Sequence, residues 1–255
     1  IISGLYNDMK INSVEIAQIS QYAENVFFKK PCGLMDQMAC SVGGMVNIDF
    51  KDPTKPIVKK VPTEFEKYDY SLCIVDTKGD HVDLTDDYAM IPSEMKKVAN
   101  FLGEDYLRDC DSNEFYIRLD AIREAVGDRP VLRAIHFFNE EYNVKNAVSS
   151  LENGKFVEFL DAIRKSGNSS FKYLQYVYTT RDSQHQNISV ALALSESLLR
   201  NYGVCRVHGG GFAGTIQAFV KNEFVSNYKE FINKIFGENS CHVLKVRKYG
   251  GIKVM

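Results

Sequence analysis

Apolar and polar positions alternate with two different periods along this chain. Alternation marks GMVNIDF (from Gly44); YSLCIVDTK (from Tyr70), VCRVHG (from Val204), GTIQAFV (from Gly214) and CHVLKVRK (from Cys241) are short, largely apolar strand-like runs, and PIVKKVP (from Pro56) is a further strand candidate. A period of two puts every second side chain on one face, so these stretches predict strands. Helical spacing appears where Val14, Ala17, Ile19 and Tyr22 recur after Ser13, a candidate cap, and continues to about Phe28. A short helix is predicted just after Gly33. IPSEMKKVANFLG predicts another, with Pro92 in its first turn and Gly103 closing it. Helices dominate from Glu114 to Arg200, one ending at Asn153-Gly154 and the last closed by Gly203. A final helix is predicted from about Phe224 to Phe236.

From Tyr70 the order is strand, helices, strand, strand, helix, strand. That is the ferredoxin-like split βαβ order with extra helices in the first crossover. The fold class is therefore α+β, with a second, smaller region preceding Tyr70.

Composition narrows the function classes. Charged residues are 25% and hydrophobic ones 45% of 255 residues, with a formal net charge of -2. No basic field points to nucleic acid or an anionic membrane. No apolar run reaches bilayer length, and the first residues lack the pattern of a secretory signal, so a cytoplasmic location is expected. The six cysteines form no C-x-x-C pair. Free thiols, several of them buried, are expected rather than a zinc site or disulfide framework.

The stretch RVHGGGFAGTIQAFV (Arg206–Val220) sets Gly209, Gly210, Gly211 and Gly214 between two predicted strands. Glycine there permits positive φ and lets backbone or ligand approach closely. HGGG also occurs in the oxyanion loop of lipases, but the sequence has no G-x-S-x-G nucleophile elbow. GGGFAG precedes a strand rather than opening a helix, which excludes a Rossmann fingerprint, and no Walker A signature is present. On these residues alone the cluster is either a structural turn or part of a ligand site.

PCGLMDQMAC (Pro31–Cys40) and HGGGFAG (His208–Gly214) together resemble two motifs of the galactokinase branch of the GHMP small-molecule kinases. DDYAMIPSEMKKVA and the helical segment from Leu132 to Phe171 are similar to further family stretches. The resemblance implies a two-domain GHMP kinase fold: a partial N-terminal domain (ribosomal protein S5 domain 2-like) over residues 1–67, and a ferredoxin-like C-terminal domain with inserted helices over 68–255. It implies transfer of the γ-phosphate of ATP, with Mg²⁺, to the C1 hydroxyl of D-galactose at a cleft between the domains, by a monomer with no nucleic-acid or membrane partner.

Site residues carry over by position. Asp36 would be the catalytic base and a sugar contact, where a lone acid would otherwise read as a cap or surface residue. Gly33 would bring its backbone against the sugar. Tyr88 would contact the sugar, or be only a half-buried aromatic; Ala89, Met90 and Ile91 stand where the family usually has arginines. Gly209, Gly210, Gly211 and Gly214 would pack beside the nucleotide, and His208 would be a hydrogen-bonding turn residue. The family's upstream galactose signature and serine-rich phosphate loop do not occur in these residues. The main Mg²⁺ ligands are therefore expected upstream of Ile1, which would fall inside a helix. The 255 residues alone are expected to be inactive and to expose an apolar face. An N-acetylgalactosamine or other anomeric sugar kinase, or a non-catalytic galactose/ATP sensor, is the alternative.

Overall fold

A computed structural model describes residues 2–29, 32–62, 65–79, 84–212 and 214–252. Ile1, Pro31 and Ala213, which entered the readings above, lie outside them. The chain forms two compact units, Ile1–Glu64 with Lys245–Met255, and Phe65–Leu244.

The first unit opens with α1 (Ile2–Tyr6) and α2 (Ser13–Tyr22), which runs on into a π-helical turn, Ala23–Phe27. The cap of α2 is Asn12 rather than Ser13. Its side-chain oxygen accepts from the backbone N–H groups of Val14 and Glu15, both at 3.0 Å, while Glu15 reaches back to the Asn12 N–H at 3.3 Å. This reciprocal box satisfies donors that a helix start leaves unpaired. Next come α3 (Met35–Val42) and the antiparallel pair β1 (Met45–Asp49) and β2 (Ile57–Val61). Ala17, Leu34 and Met38 are its buried cluster.

The second unit is built on a four-stranded antiparallel sheet. Its strands are β3 (Tyr70–Asp76), β4 (Gly203–His208), β5 (Thr215–Lys221) and β6 (Cys241–Leu244), in the spatial order β4-β5-β3-β6. This is the ferredoxin-like order expected from the sequence. Between β3 and β4 run α4 (Thr85–Phe101), α5 (Ser112–Ile117), α6 (Leu119–Val126), α7 (Asp128–Glu152), α8 (Phe156–Ser169) and α9 (Asn187–Leu199). The helix α10 (Val225–Phe236) connects β5 to β6.

Register explains the core. Cys73 faces Ala218 and Val75 faces Ile216 across β3–β5, and these buried residues pack with Ile188, Ala191 and Leu199 of α9 and with Tyr228 and Ile232 of α10. Phe219, the alternate residue on β5, turns the other way into Phe65 and Phe159, with ring centroids 5.4 and 5.3 Å away. Burying such a side chain contributes about 1.5–3 kcal/mol. A second cluster, centred on Val98, Phe115, Ile122 and Ala134, joins α4 through α7. Beside it Glu94 accepts from Arg133 at 2.9 Å and from Arg129 at 2.5 Å, with Glu94 and Arg133 both buried.

Two local expectations are corrected. Pro92 lies inside α4 rather than in its first turn. Proline has no N–H, so the carbonyl of Tyr88 four residues earlier loses that helical partner, and packing of α4 against α7 outweighs the break. Gly203 opens β4 instead of closing α9, which ends at Leu199. Any Cβ at Gly203 would overlap the carbonyl oxygen of Phe219 on the neighbouring strand. Cys40, Cys73, Cys110, Cys205 and Cys241 are free thiols, and no helix of the described residues is long and apolar enough to cross a membrane.

Candidate functional site

The GLMDQ stretch folds as a turn into α3. Asp36 is in the first helical turn, where a carboxylate is favoured by the positive end of the helix dipole. Leu34 and Met38 anchor the same helix in the core, so the helical period turns Asp36 outward. It is exposed and lines a cavity of about 760 Å³ inside the first unit, together with Asp8, Glu24, Gln37, Cys40 and Arg247. A volume in that range suits a small ligand. At Gly33 a Cβ would meet nothing within 4 Å, so the space a side chain would take is open.

Gln37 and Arg247 are polar members of this cavity that the sequence reading did not single out. Gln37 donates through Nε2 to Cys32 Sγ at 3.4 Å, while its Oε1 is buried and meets no donor among the described residues. Its place beside Asp36 was the available signal. Arg247 lies more than two hundred residues away in sequence, and no local pattern marks it.

Tyr88 and the glycines meet within the second unit. The glycines lie in the β4–β5 connection, closed by the pair His208–Thr215, in which His208 Nδ1 is 3.1 Å from Thr215 Oγ1. His208 is thus a hydrogen-bonding turn residue. Gly209, Gly211 and Phe212 have φ of 65°, 77° and 57°, a left-handed path that costs a glycine little. Phe212 accepts that path because its N–H donates to Tyr176 O at 2.5 Å and its ring is buried.

Tyr88, half-buried on α4, donates its hydroxyl to Gly211 O at 3.2 Å and sets its ring edge-on to Phe212, centroids 5.0 Å apart. Burial pushes its phenol above the ordinary value. A Cβ on Gly210 would come within 2.8 Å of the Tyr88 ring. Gly214 O accepts from the buried Thr77 hydroxyl at 2.7 Å. Gly209 alone among 209–211 has open space where a side chain would project. The turn's contact with Tyr88 was not visible in the sequence, because 123 residues separate Tyr88 from Gly211.

Chemically, the first unit offers an exposed carboxylate on a concave wall, able to accept a proton from a hydroxyl held against it. The second offers a rigid glycine turn with one open face. No grouping of three His, Cys, Asp or Glu that could hold a metal occurs among the described residues.

No family model matches the chain. It is 26% identical over 232 residues to a galactokinase of Actinobacillus pleuropneumoniae, covering 88% of this chain and 56% of that protein. Its fold matches the crystal structure of Lactococcus lactis galactokinase complexed with galactose at a TM-score of 0.73 and 19% identity, over 98% of this chain and 63% of the other. It also matches L. major mevalonate kinase, solved with R-mevalonate, at a TM-score of 0.55 and 11% identity, over 94% of this chain and 60% of the other. The chain spans about half the length of the curated relatives it matches.

Proposed function

We propose that this chain, which resembles galactokinases in sequence and shares the α+β fold of GHMP kinases, serves a sugar kinase. The kinase would transfer the γ-phosphate of ATP to the C1 hydroxyl of D-galactose. The observation that supports this most is the placement of Asp36 by the GLMDQ segment, in a first helical turn on the wall of a cavity of about 760 Å³.

In this reading Asp36 contacts the C1 hydroxyl and takes its proton as the oxygen attacks phosphorus. Phosphoryl transfer is loose and asks the protein chiefly for positioning and charge compensation, so a positioned carboxylate suffices. Gly33 leaves the sugar ring room. Tyr88 contacts the sugar through its ring, its hydroxyl being engaged by Gly211. Gly209, Gly210, Gly211 and Gly214 flank the nucleotide, with Gly209 the open position. ATP is the proposed phosphoryl donor, and Mg²⁺ would supply the charge neutralisation that these residues do not. The enzyme is proposed to act as a cytoplasmic monomer, with residues 1–67 and 68–255 serving as its N-terminal and C-terminal domain portions. The 255 residues alone are proposed to be inactive.

Phosphorus NMR of the complete gene product with ATP, Mg²⁺ and D-galactose tests the reading. A galactose 1-phosphate resonance that requires the sugar is expected, and none from the 255-residue chain alone. A product formed only from N-acetylgalactosamine would change the substrate. Tight galactose binding with no phosphorylated product would replace the kinase by a sensor.

A further inference from the structure

We infer that the C-terminal segment Lys245–Ile252 is a positioning strap for α3, with Gly250 the residue that sets where Asp36 stands; this rests on the reading of Asp36 as the base. Helix α3 has no side-chain cap at its start, where Leu34 makes no capping hydrogen bond. Its far end is where the chain grips it. The N–H of Gly44 donates to Arg247 O at 2.7 Å, just past the helix C-terminus. Arg247 then folds its guanidinium back, Nη2 donating to Gly250 O at 2.7 Å, which closes the strap into a tight turn.

Gly250 is buried against the last turn of α3. A Cβ there would overlap the carbonyl oxygen of Ser41 and come within 3.0 Å of Cys40 O, and one on Gly43 would overlap the backbone of Tyr249 and Gly250. Both obstacles are backbone, so neither can swing aside as a flexible side chain would. Two glycines thus allow main chain to lie on main chain. On its other side α3 is tied to α2 by the Ser41 hydroxyl, which donates to Ser13 O at 2.7 Å. Strap and carboxylate also share one cavity, for Arg247, Gly251 and Ile252 line it with Asp36. A helix that moves as a rigid rod passes a displacement at Ser41 directly to Asp36, little more than one turn away. A shift of about 1 Å in a positioned group can cost about 10²-fold in rate.

Gly250→Ala in the complete gene product tests this, because Gly250, unlike Gly43, lies outside the left-handed region, so the variant adds bulk against α3 without a left-handed φ penalty. Its kcat is expected to fall about 10²-fold while the KM values for galactose and ATP stay within about threefold of wild type. Amide exchange is expected to quicken in residues 36–44 and nowhere in 65–244. Lys248→Ala, at an exposed position of the same strap, should keep wild-type kinetics. Wild-type kcat in Gly250→Ala, or an equal loss of kcat and amide protection throughout the protein, would overturn the strap. Asp36→Asn run in parallel separates the two readings. If it is inactive while Gly250→Ala is fully active, only the strap fails; if it is fully active, the assignment of the base fails first.

Discussion

The two units hold their candidate functional residues in different ways. In the second, Tyr88 and the glycine turn sit on a deep core: Cys73, Val75, Ile216, Ala218, Tyr228 and Ile232 are fully or nearly fully buried, and Phe212 plugs the turn into the same cluster. In the first, the buried cluster is Ala17, Leu34 and Met38, while Tyr6, Phe27 and Phe28 are 86%, 76% and 79% exposed. Apolar area removed from water stabilises the second unit; close backbone approach at Gly43 and Gly250 does much of the positioning in the first. The same fold can thus place chemistry by packing in one region and by steric necessity in another.

The largest effect is expected where the second unit is most committed. Glu94→Ala would leave the buried Arg133 guanidinium without its carboxylate, costing about 3–5 kcal/mol. Denaturant unfolding of the second unit would register it, and a loss under about 1 kcal/mol would mean that the pair is hydrated. Met38→Ala is expected to cost about 2–3 kcal/mol, the low end for buried methionine, because so thin a core can collapse around the gap. Its exchange signature should stay within the first unit.

A smaller effect comes from pH. His136 is buried with Nδ1 3.0 Å from Ser169 Oγ, and burial holds its pKa below the ordinary imidazole value. The unfolded chain therefore binds the proton more readily, so stability falls as pH drops from about 6.5 towards the folded pKa and is level above that window. The urea midpoint between pH 7.5 and 5.5 should show that fall, and His136→Asn should flatten it. The smallest effect belongs to the exposed aromatics. In the 255-residue chain alone, Phe27→Ser with Phe28→Ser should change stability by under about 0.5 kcal/mol each while reducing self-association in sedimentation. A large destabilisation would show that these rings pack after all.

Short, largely apolar runs made β3, β4, β5 and β6 legible, and the glycine cluster was legible as their turn. The role proposed for Asp36 rests on the family resemblance carried by the contiguous stretch Gly33–Gln37. What stayed hidden was set by pairs distant in sequence: Tyr88 with Gly211, Gly203 with Phe219, Gly43 with Gly250. Local propensity misled at Pro92, where the proline suggested a helix start and tertiary packing carried the helix through it. CHVLKVRK read as one strand, yet pairing stops at Leu244 and the residues from Lys245 belong to the first unit. Periodicity cannot see where a chain leaves its sheet.

The most direct test is the single-turnover rate of phosphate transfer to galactose by Asp36→Asn in the complete gene product. Removing a positioned base at an exposed position should lower that rate by about 10²–10⁴-fold while galactose still binds. An Asp36→Asn enzyme that transfers phosphate at the wild-type rate would contradict the account at its centre.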